Sequence, residues 1–371
     1  MYGILVHALG KIGMIKNNQF WKNKKVLITG HTGFKGSWLS IILNLLSAKV
    51  YGYALSPEKN SLFKKAKINK LFEQSHIGNI KKLKNLQKTL KSIEPEIIFH
   101  MAAQPLVVQS YKNPKDTFET NIIGTVNLLE SAKKLKKLKV IIVVTTDKVY
   151  KILKNNPAYN EEHQLGASDP YATSKTCAEL IAECYCKSFL NLKKKIIVVS
   201  VRAGNVIGGG DYSENRIVPD FIESLNKKKK LIIRNPDHVR PWQHVLEPLF
   251  GYVTLAEKLY KKRLNNKYES WNFAPHKDSF LKVRKLIELF QSSKYLKKQK
   301  IKIVYKKKVS KFKETNILKL DFKKSFITLK WKPRFTIKET VNLILQWNHD
   351  TQKKAFYLEA CKKQIFQYLT K

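Results

Sequence analysis

The feature that most constrains this chain is a short apolar run, Val26-Leu27-Ile28-Thr29, that passes without a break into Gly30-His31-Thr32-Gly33-Phe34-Lys35-Gly36. Four β-branched or aliphatic residues in a row read as a buried strand, and the amphipathic stretch after Gly36 reads as a helix. The G-x-x-G-x-x-G spacing is a variant of the dinucleotide fingerprint. Its glycines let the backbone turn tightly and approach a pyrophosphate, whose charge rests on the helix N-terminus. A glycine-rich turn alone is a weak signal; the strand before it and the helix after it give it weight.

The same alternation continues downstream. Strands are predicted at Val26–Thr29, Lys49–Tyr53, Ile97–His100, Val140–Thr145 and Ile196–Val201, and helices at Gly36–Leu46, Leu83–Ile93, Phe118–Lys134 and Tyr171–Leu190. Strands alternating with helices predict an α/β fold of the Rossmann type, a doubly wound parallel sheet covered on both faces. After Gly208 the pattern breaks into Gly-, Pro- and Asn-rich loops, which predicts a smaller C-terminal substrate-binding domain. The expected division is an N-terminal extension over 1–20 and a dinucleotide-binding domain over 21–208, to which 246–273 returns. A substrate-binding part follows over 209–245 and 274–350, and a helical tail over 351–371. The apolar run near the start is interrupted by Lys11 and lacks a basic lead, so no signal peptide is expected, and Met14 is an alternative start.

Composition narrows the function classes. With 371 residues, 43% of them hydrophobic, the chain can bury a substantial core. No apolar run is long enough for a membrane helix, and four cysteines without metal-ligand spacing point to a reduced, cytoplasmic setting. The formal net charge of +43 suggests nucleic acid, yet only seven of the 71 basic residues are arginines and the lysines are spread over nearly every element. Nucleic-acid readers concentrate charge on one face and favour the arginine fork. Codon drift toward lysine explains the excess better, so neither a nucleic-acid nor a membrane partner is expected, and each surviving arginine becomes informative.

Two constellations carry chemistry. Tyr171 and Lys175 stand one helical turn apart in Asp169-Pro170-Tyr171-Ala-Thr-Ser-Lys175, with Asp169 as N-cap and Pro170 as first helical residue. An ammonium on the same face is expected to stabilise the phenolate and make Tyr171 a usable base. The strand Val140–Thr145 ends in Thr146-Asp147-Lys148, at the sheet edge where ligands of open α/β folds bind. Thr146 can bond the oxygen that Tyr171 deprotonates, and Asp147 with Lys148 forms a second acid–base couple that simple hydride transfer does not need. The acid that commonly grips an NAD ribose is replaced by Ser56, and no arginine stands ready for a 2′-phosphate, which favours NAD.

Together these segments resemble the extended short-chain dehydrogenase/reductases, and among them the CDP-glucose 4,6-dehydratases. FWKNKKVLITGHTGFKGSWLS, IIFHMAAQPLVVQSY, TTDKVY, DPYATSK, VRAGNVIGGGDY and RPWQHVLEPL carry the resemblance over most of residues 20–275. It implies a bound NAD held by Gly30, Thr32, Gly33, Phe34, Lys35, Gly36, Asn79, Ile80, Ala102, Ala103, Gln104, Tyr171 and Lys175. The substrate would be a nucleotide sugar, CDP-glucose, with its phosphates met by Asn205, Arg216, Arg234 and Arg240. Tyr171, helped by Thr146 and Lys175, would deprotonate the C4 hydroxyl, Asp147 would protonate the departing C6 hydroxyl, and Lys148 would belong to the elimination. The product would be CDP-4-dehydro-6-deoxyglucose, a precursor of deoxysugars in surface polysaccharides such as O-antigen lipopolysaccharide. The resemblance also implies a homodimer built from two helices per subunit. A 4-epimerase, or a dehydratase of another nucleotide sugar, is the alternative. Arg202 is read as a phosphate ligand or a sheet-edge pin, His100 as no metal ligand, Asn121 as a support beneath the site, and Cys177 and Cys184 as core.

Overall fold

The computed structural model describes residues 19–262, 264, 267–296, 299–305 and 315–371. Most of the expected extension over 1–20, with Met14, lies outside these residues. The five predicted strands form: β1 (Lys25–Thr29), β2 (Lys49–Ala54), β4 (Ile97–His100), β5 (Val140–Val144) and β6 (Ile197–Ala203), while β3 (Gln74–Ile77) and β7 (Ser270–Phe273) complete the sheet. The order is β7-β6-β5-β4-β1-β2-β3 and every pairing is parallel. The strand order reverses between β1 and β4, which opens a crevice at their carboxyl ends.

Strand parity decides the two cores. Ile97, Phe99, Val140 and Ile142 face one layer with Trp21, Trp38 and Leu249, while Ile98, Ile141 and Val143 face the other with Leu86, Leu129 and Ala182. Helices α1 (Phe34–Leu45), α2 (Leu83–Ile93), α3 (Gly124–Ala132) and α4 (Pro170–Tyr185) cover these faces. The predicted helix Phe118–Lys134 is not continuous: a turn at Pro114–Phe118 leads through a wide π-type turn, Glu119–Ile123, into α3. Asn121 sits in that turn because its amide bonds both Gln104 N and Gln104 O (2.8 and 3.1 Å) and Ser174 Oγ (2.8 Å). Gly124 then lets the chain approach Ile80, whose Cγ2 lies 2.6 Å from where a Cβ would stand. The run Tyr171–Leu190 is likewise α4 followed by a wide turn, Cys186–Leu190. Cys184 is exposed and Cys177 half-buried, so only Cys186 of that trio packs in the core, contrary to the shared-face reading.

A third cluster, with Ile207, Phe221, Trp242, Phe290 and Ile344, holds together a smaller unit over the carboxyl end of the sheet. It contains α5 (Ile217–Asn226) and a three-stranded sheet of Asn205–Ile207, Val239–His244 and Phe280–Lys282. Helix α6 (Leu246–Tyr260) returns beneath the large sheet, while α7 (Ile337–Lys354) and α8 (Tyr357–Leu369) close the chain. Ala360, Cys361, Ile365 and Tyr368 of α8 pack with Trp38 and Leu249 in the first core layer.

The glycine turn is built without slack. Gly30 has φ +75°, and a Cβ there would lie 2.7 Å from Ala102 N, while one on Gly36 would lie 2.3 Å from Gly30 O. At Gly33 the nearest atom would be 3.4 Å away. Gly36→Ala should therefore cost about 2–3 kcal/mol in urea unfolding and Gly33→Ala less than about 1 kcal/mol. Equal costs for the two would contradict this packing.

Candidate active site

The turn after β1 offers an anion-sized cradle. Helix α1 starts after Gly33 with no side-chain cap, which leaves its first amides for a ligand. Thr32 Oγ1 donates to Leu55 O (3.0 Å), tying the turn to the end of β2. His31 was not anticipated from the sequence. Its ring packs against Phe63 and Phe72, sits 2.7 Å from Ser75 Oγ through Nε2, and fills the space left by Gly52. Burial pushes it down to about 4, so it is neutral. At the end of β4, Thr29 Oγ1 accepts from Met101 N and Ala102 N (3.1 and 3.2 Å), so Ala102 and Ala103 run across the crevice beside Gly30. His100 is held between Thr29 Oγ1 and Thr125 Oγ1 (2.7 and 3.1 Å) and is structural. Gln104 spends its amide on Leu106 N, Leu106 O and Thr117 Oγ1, so its side chain shapes the loop. Asn79 Oδ1 accepts from Lys81 N (2.9 Å), and Ile80 beside it is buried. An uncapped helix start and glycines that admit no Cβ fit the pyrophosphate of a dinucleotide.

Across the crevice lies a cleft of about 680 Å³. Thr146, Asp147, Lys148, Tyr171, Asn205, Arg216, Arg234 and Arg240 all line it, together with Lys35. Asp169 does cap α4, its Oδ1 accepting from Ala172 N at 2.9 Å, which aims Tyr171 at the turn after β5. Thr146 Oγ1 donates to Asp147 Oδ1 (3.1 Å) and is also hydrogen-bonded to Tyr171, so one hydroxyl joins the phenol to the carboxyl. Asp147 is 2% exposed and its Oδ2 has no hydrogen-bond partner among the described residues. Burial raises its pKa, against the opposing pull of Lys148, Thr146, Arg240 and Lys35. It therefore holds a proton more readily than an ordinary carboxyl.

The electrostatics of Tyr171 differ from the expectation. Burial pushes the phenol up to about 12, and Thr146 and Arg216 pull it back. Lys175 is itself pushed down to about 8 by burial and by Lys35, with Glu179 opposing. Lys35, expected at the phosphate turn, also lines the cleft, and it is pushed down to about 8 by burial and by Arg216.

The arginines separate clearly. Arg216 pairs with Asp211 (3.0 Å) at the cleft wall. Arg240 is 4% exposed and is braced by Val239 O (2.9 Å), Asn316 O (3.2 Å) and His238 Nδ1 (3.0 Å). Arg202 lies outside the cleft, forms a buried ion pair with Glu179 and bonds Tyr150, which bonds Asn272 on the edge strand β7, so its contacts are those of a sheet-edge pin rather than a phosphate ligand. Asp220, also unanticipated, lines the far end of the cleft near Arg234 and is pushed up to about 6 by burial.

Comparison with known proteins agrees with this geometry. A family model described as GDP-mannose 4,6 dehydratase matches residues 27–344. The CDP-glucose 4,6-dehydratase of Salmonella typhimurium is 40% identical, the match covering 96% of this chain and 99% of that protein. Among solved structures, the dTDP-glucose 4,6-dehydratase of Bacillus anthracis in complex with NAD superposes with a TM-score of 0.74 at 23% identity, covering 91% of this chain and 99% of that one. The UDP-glucose 4-epimerase of Thermotoga maritima does so with a TM-score of 0.74 at 22% identity, covering 88% and 99%. These two likenesses establish the shared fold. The family match over residues 27–344 establishes more: the chain belongs to the GDP-mannose 4,6 dehydratase family, and within it the Salmonella relative is a CDP-glucose 4,6-dehydratase matched over nearly its whole length.

Proposed function

We propose that this protein converts CDP-glucose to CDP-4-dehydro-6-deoxyglucose with a bound NAD. The observation that carries the reading is the convergence of Tyr171, Thr146 and Asp147 in one cleft, the last with a buried oxygen free for a substrate hydroxyl. Identity to the Salmonella CDP-glucose 4,6-dehydratase supports the choice of nucleotide. Gly30, Thr32, Gly33, Phe34 and Gly36 would hold the pyrophosphate, with Asn79, Ile80, Ala102 and Ala103 along the rest of the cofactor. NAD, when bound, supplies the acceptor and donor for the hydrogen that moves from C4 to C6.

In this reading Tyr171 takes the C4 hydroxyl proton while Thr146 orients that oxygen. The new ketone makes the C5 proton acidic, so that it leaves and later returns, and Lys148, on the turn beside Asp147, belongs to this elimination. Asp147 protonates the C6 hydroxyl, which leaves as water. The proton gained by Tyr171 balances the one lost by Asp147, so the cycle is neutral overall. Arg240, Arg234, Arg216 and Asn205 would meet the diphosphate and nucleotide, since arginine forks suit phosphate. An epimerase needs no acid at C6, which makes the free Asp147 oxygen the discriminating feature.

Four free cysteines among the described residues fit the cytoplasmic setting proposed here. No helix among them is long and apolar enough to cross a membrane. A homodimer is proposed through α4 and the wide turns before α3 and after α4, where Leu180, Ile123 and Phe189 are 53%, 48% and 41% exposed. Sedimentation equilibrium should return a dimer, and Leu180→Lys should return monomer.

Incubation with CDP-glucose and NAD should yield a product lighter by one water with a keto carbon at C4; intact substrate from folded protein would refute the assignment. Asp147→Asn should slow product formation by about 10²-fold or more. In D₂O its recovered substrate should still gain deuterium at C5, because oxidation at C4 survives. Tyr171→Phe should lose about 10²–10⁴-fold and show no such exchange. Activity should also decline above pH 8, as Lys175, at about 8, gives up the proton it carries at neutral pH.

A further inference from the structure

One carboxylate in the fold has no place in the chemistry above, yet it touches the elements on which that chemistry rests. Glu179 lies one helical turn beyond Lys175 on α4 and is 1% exposed. Its Oε1 accepts from Thr145 Oγ1 at 2.5 Å, and Thr145 is the residue between β5 and Thr146. Its far side is held by Arg202, whose Nε donates to Oε1 and Oε2 at 2.9 and 3.1 Å and whose Nη2 donates to Oε2 at 2.5 Å. Arg202 Nη1 donates to Tyr150 Oη (2.7 Å), which donates in turn to Asn272 Oδ1 (2.8 Å) on β7. Thr145 N also donates to Val201 O at 2.9 Å. One carboxylate thus ties α4, the exit of β5, β6 and β7 into a single buried network.

A buried ion pair is seldom a net source of stability, since an apolar pair of the same volume often does as well. Arginine is moreover scarce in this chain, with seven among 71 basic residues. We infer that Glu179 is a positioning residue for the dehydration: it anchors the Thr145–Thr146–Asp147 turn against the helix that carries Tyr171, and it keeps the Lys175 ammonium charged. Both roles follow from where it stands. The hydrogen bond to Thr145 sets the reach of Thr146 to Tyr171 and Asp147, and the negative charge is the counter-ion on Lys175's own helix face. Lys35 from α1 opposes its charge, Tyr171 stands one turn before it on its own helix, and His100 on β4 is neutral. Glu179 favours the ammonium. Arg202 neutralises part of its charge and orients what remains.

The inference rests on the dehydratase reading for its kinetic arm, so a second arm needs no substrate. Glu179→Gln keeps an acceptor for Thr145 but removes the charge. Because it strands Arg202, the double variant Glu179→Gln/Arg202→Gln is made alongside. In both, the basic limb of the kcat/KM profile should move to lower pH by about one unit, with kcat reduced more than KM is changed. Thr145→Val, which keeps the charge and breaks the tether, should lower kcat about tenfold with the limb in place. Glu179→Asp should recover part of the pH profile. Lys175 itself is titrated by the pH dependence of its acetylation with acetic anhydride, read by mass spectrometry of its peptide. That midpoint should fall in the Gln variants and stay put in Thr145→Val. A folded double variant whose Lys175 midpoint matches the parent would overturn the charge role, and Thr145→Val with parental kcat would overturn the tether. Should the parent prove inactive on CDP-glucose, the acetylation arm still decides the charge role, so the two failures remain distinct.

Discussion

Exclusion of water from the seam between the β5 exit and the first turns of α4 governs what the cleft can do. Asp147, Lys175 and Thr146 are 2%, 4% and 7% exposed there. Desolvation disfavours charge, so it lifts the carboxyl of Asp147 and lowers the ammonium of Lys175. The two groups are drawn toward neutrality from opposite sides, which makes an acid and a modulated cation available within one small volume. The same desolvation works against Tyr171, whose phenol rises to about 12. Thr146 and Arg216 are the protein's own counterweights, and the hydroxyl of Thr146 is shared with Asp147. A base and an acid joined through one threonine are coupled from the outset, so the state of one depends on that of the other.

How much of this was legible in the sequence depended on how local its cause is. Strands β1, β4, β5 and β6 declared themselves because both faces are covered, leaving near-continuous β-branched runs. Strand β3 did not: Gln74-Ser75-His76-Ile77 lies at the sheet edge, with Ile77 56% exposed, and edge strands need no apolar pattern. The start of α4 was readable from Asp169 and Pro170 because capping is settled within four residues. The breaks at Glu119–Ile123 and Cys186–Leu190 were not, since the first is held by the tertiary bonds of Asn121 to Gln104 and Ser174.

The site shows the same division. Spacing put Tyr171 and Lys175 on one face, and the turn after β5 put Thr146 and Asp147 in the same cleft as Tyr171. Spacing could not report that Lys35 lines the cleft, nor that burial lifts the Tyr171 phenol to about 12. Arg202 and Arg240 illustrate the limit. Both follow apolar residues, but one meets Glu179 behind the sheet and the other lines the cleft. Which partner an arginine meets is a property of the assembled fold.

The segment Arg-Pro-Trp-Gln-His-Val-Leu-Glu shows why so specific a motif need not consist of substrate ligands. Arg240 alone of its polar residues lines the cleft, yet Gln243, His244 and Glu247 are 2%, 0% and 1% exposed. Gln243 Nε2 donates to Phe273 O on β7 at 2.9 Å. Glu247 Oε1 accepts from Arg334 N and Phe335 N at 3.0 and 2.7 Å, just before the Thr336–Glu339 capping box that starts α7. Burial lifts Glu247 to about 7 against those two amides, so the carboxylate is held where it is costly to keep charged. That cost is offset only while the chain before α7 stays docked on α6. The segment therefore fastens the strand bearing Arg240 to the large sheet at one end and to the closing helices at the other. The guanidinium that lines the cleft is consequently as rigid as the core behind it, which is the condition a phosphate clamp must meet before it can orient a sugar.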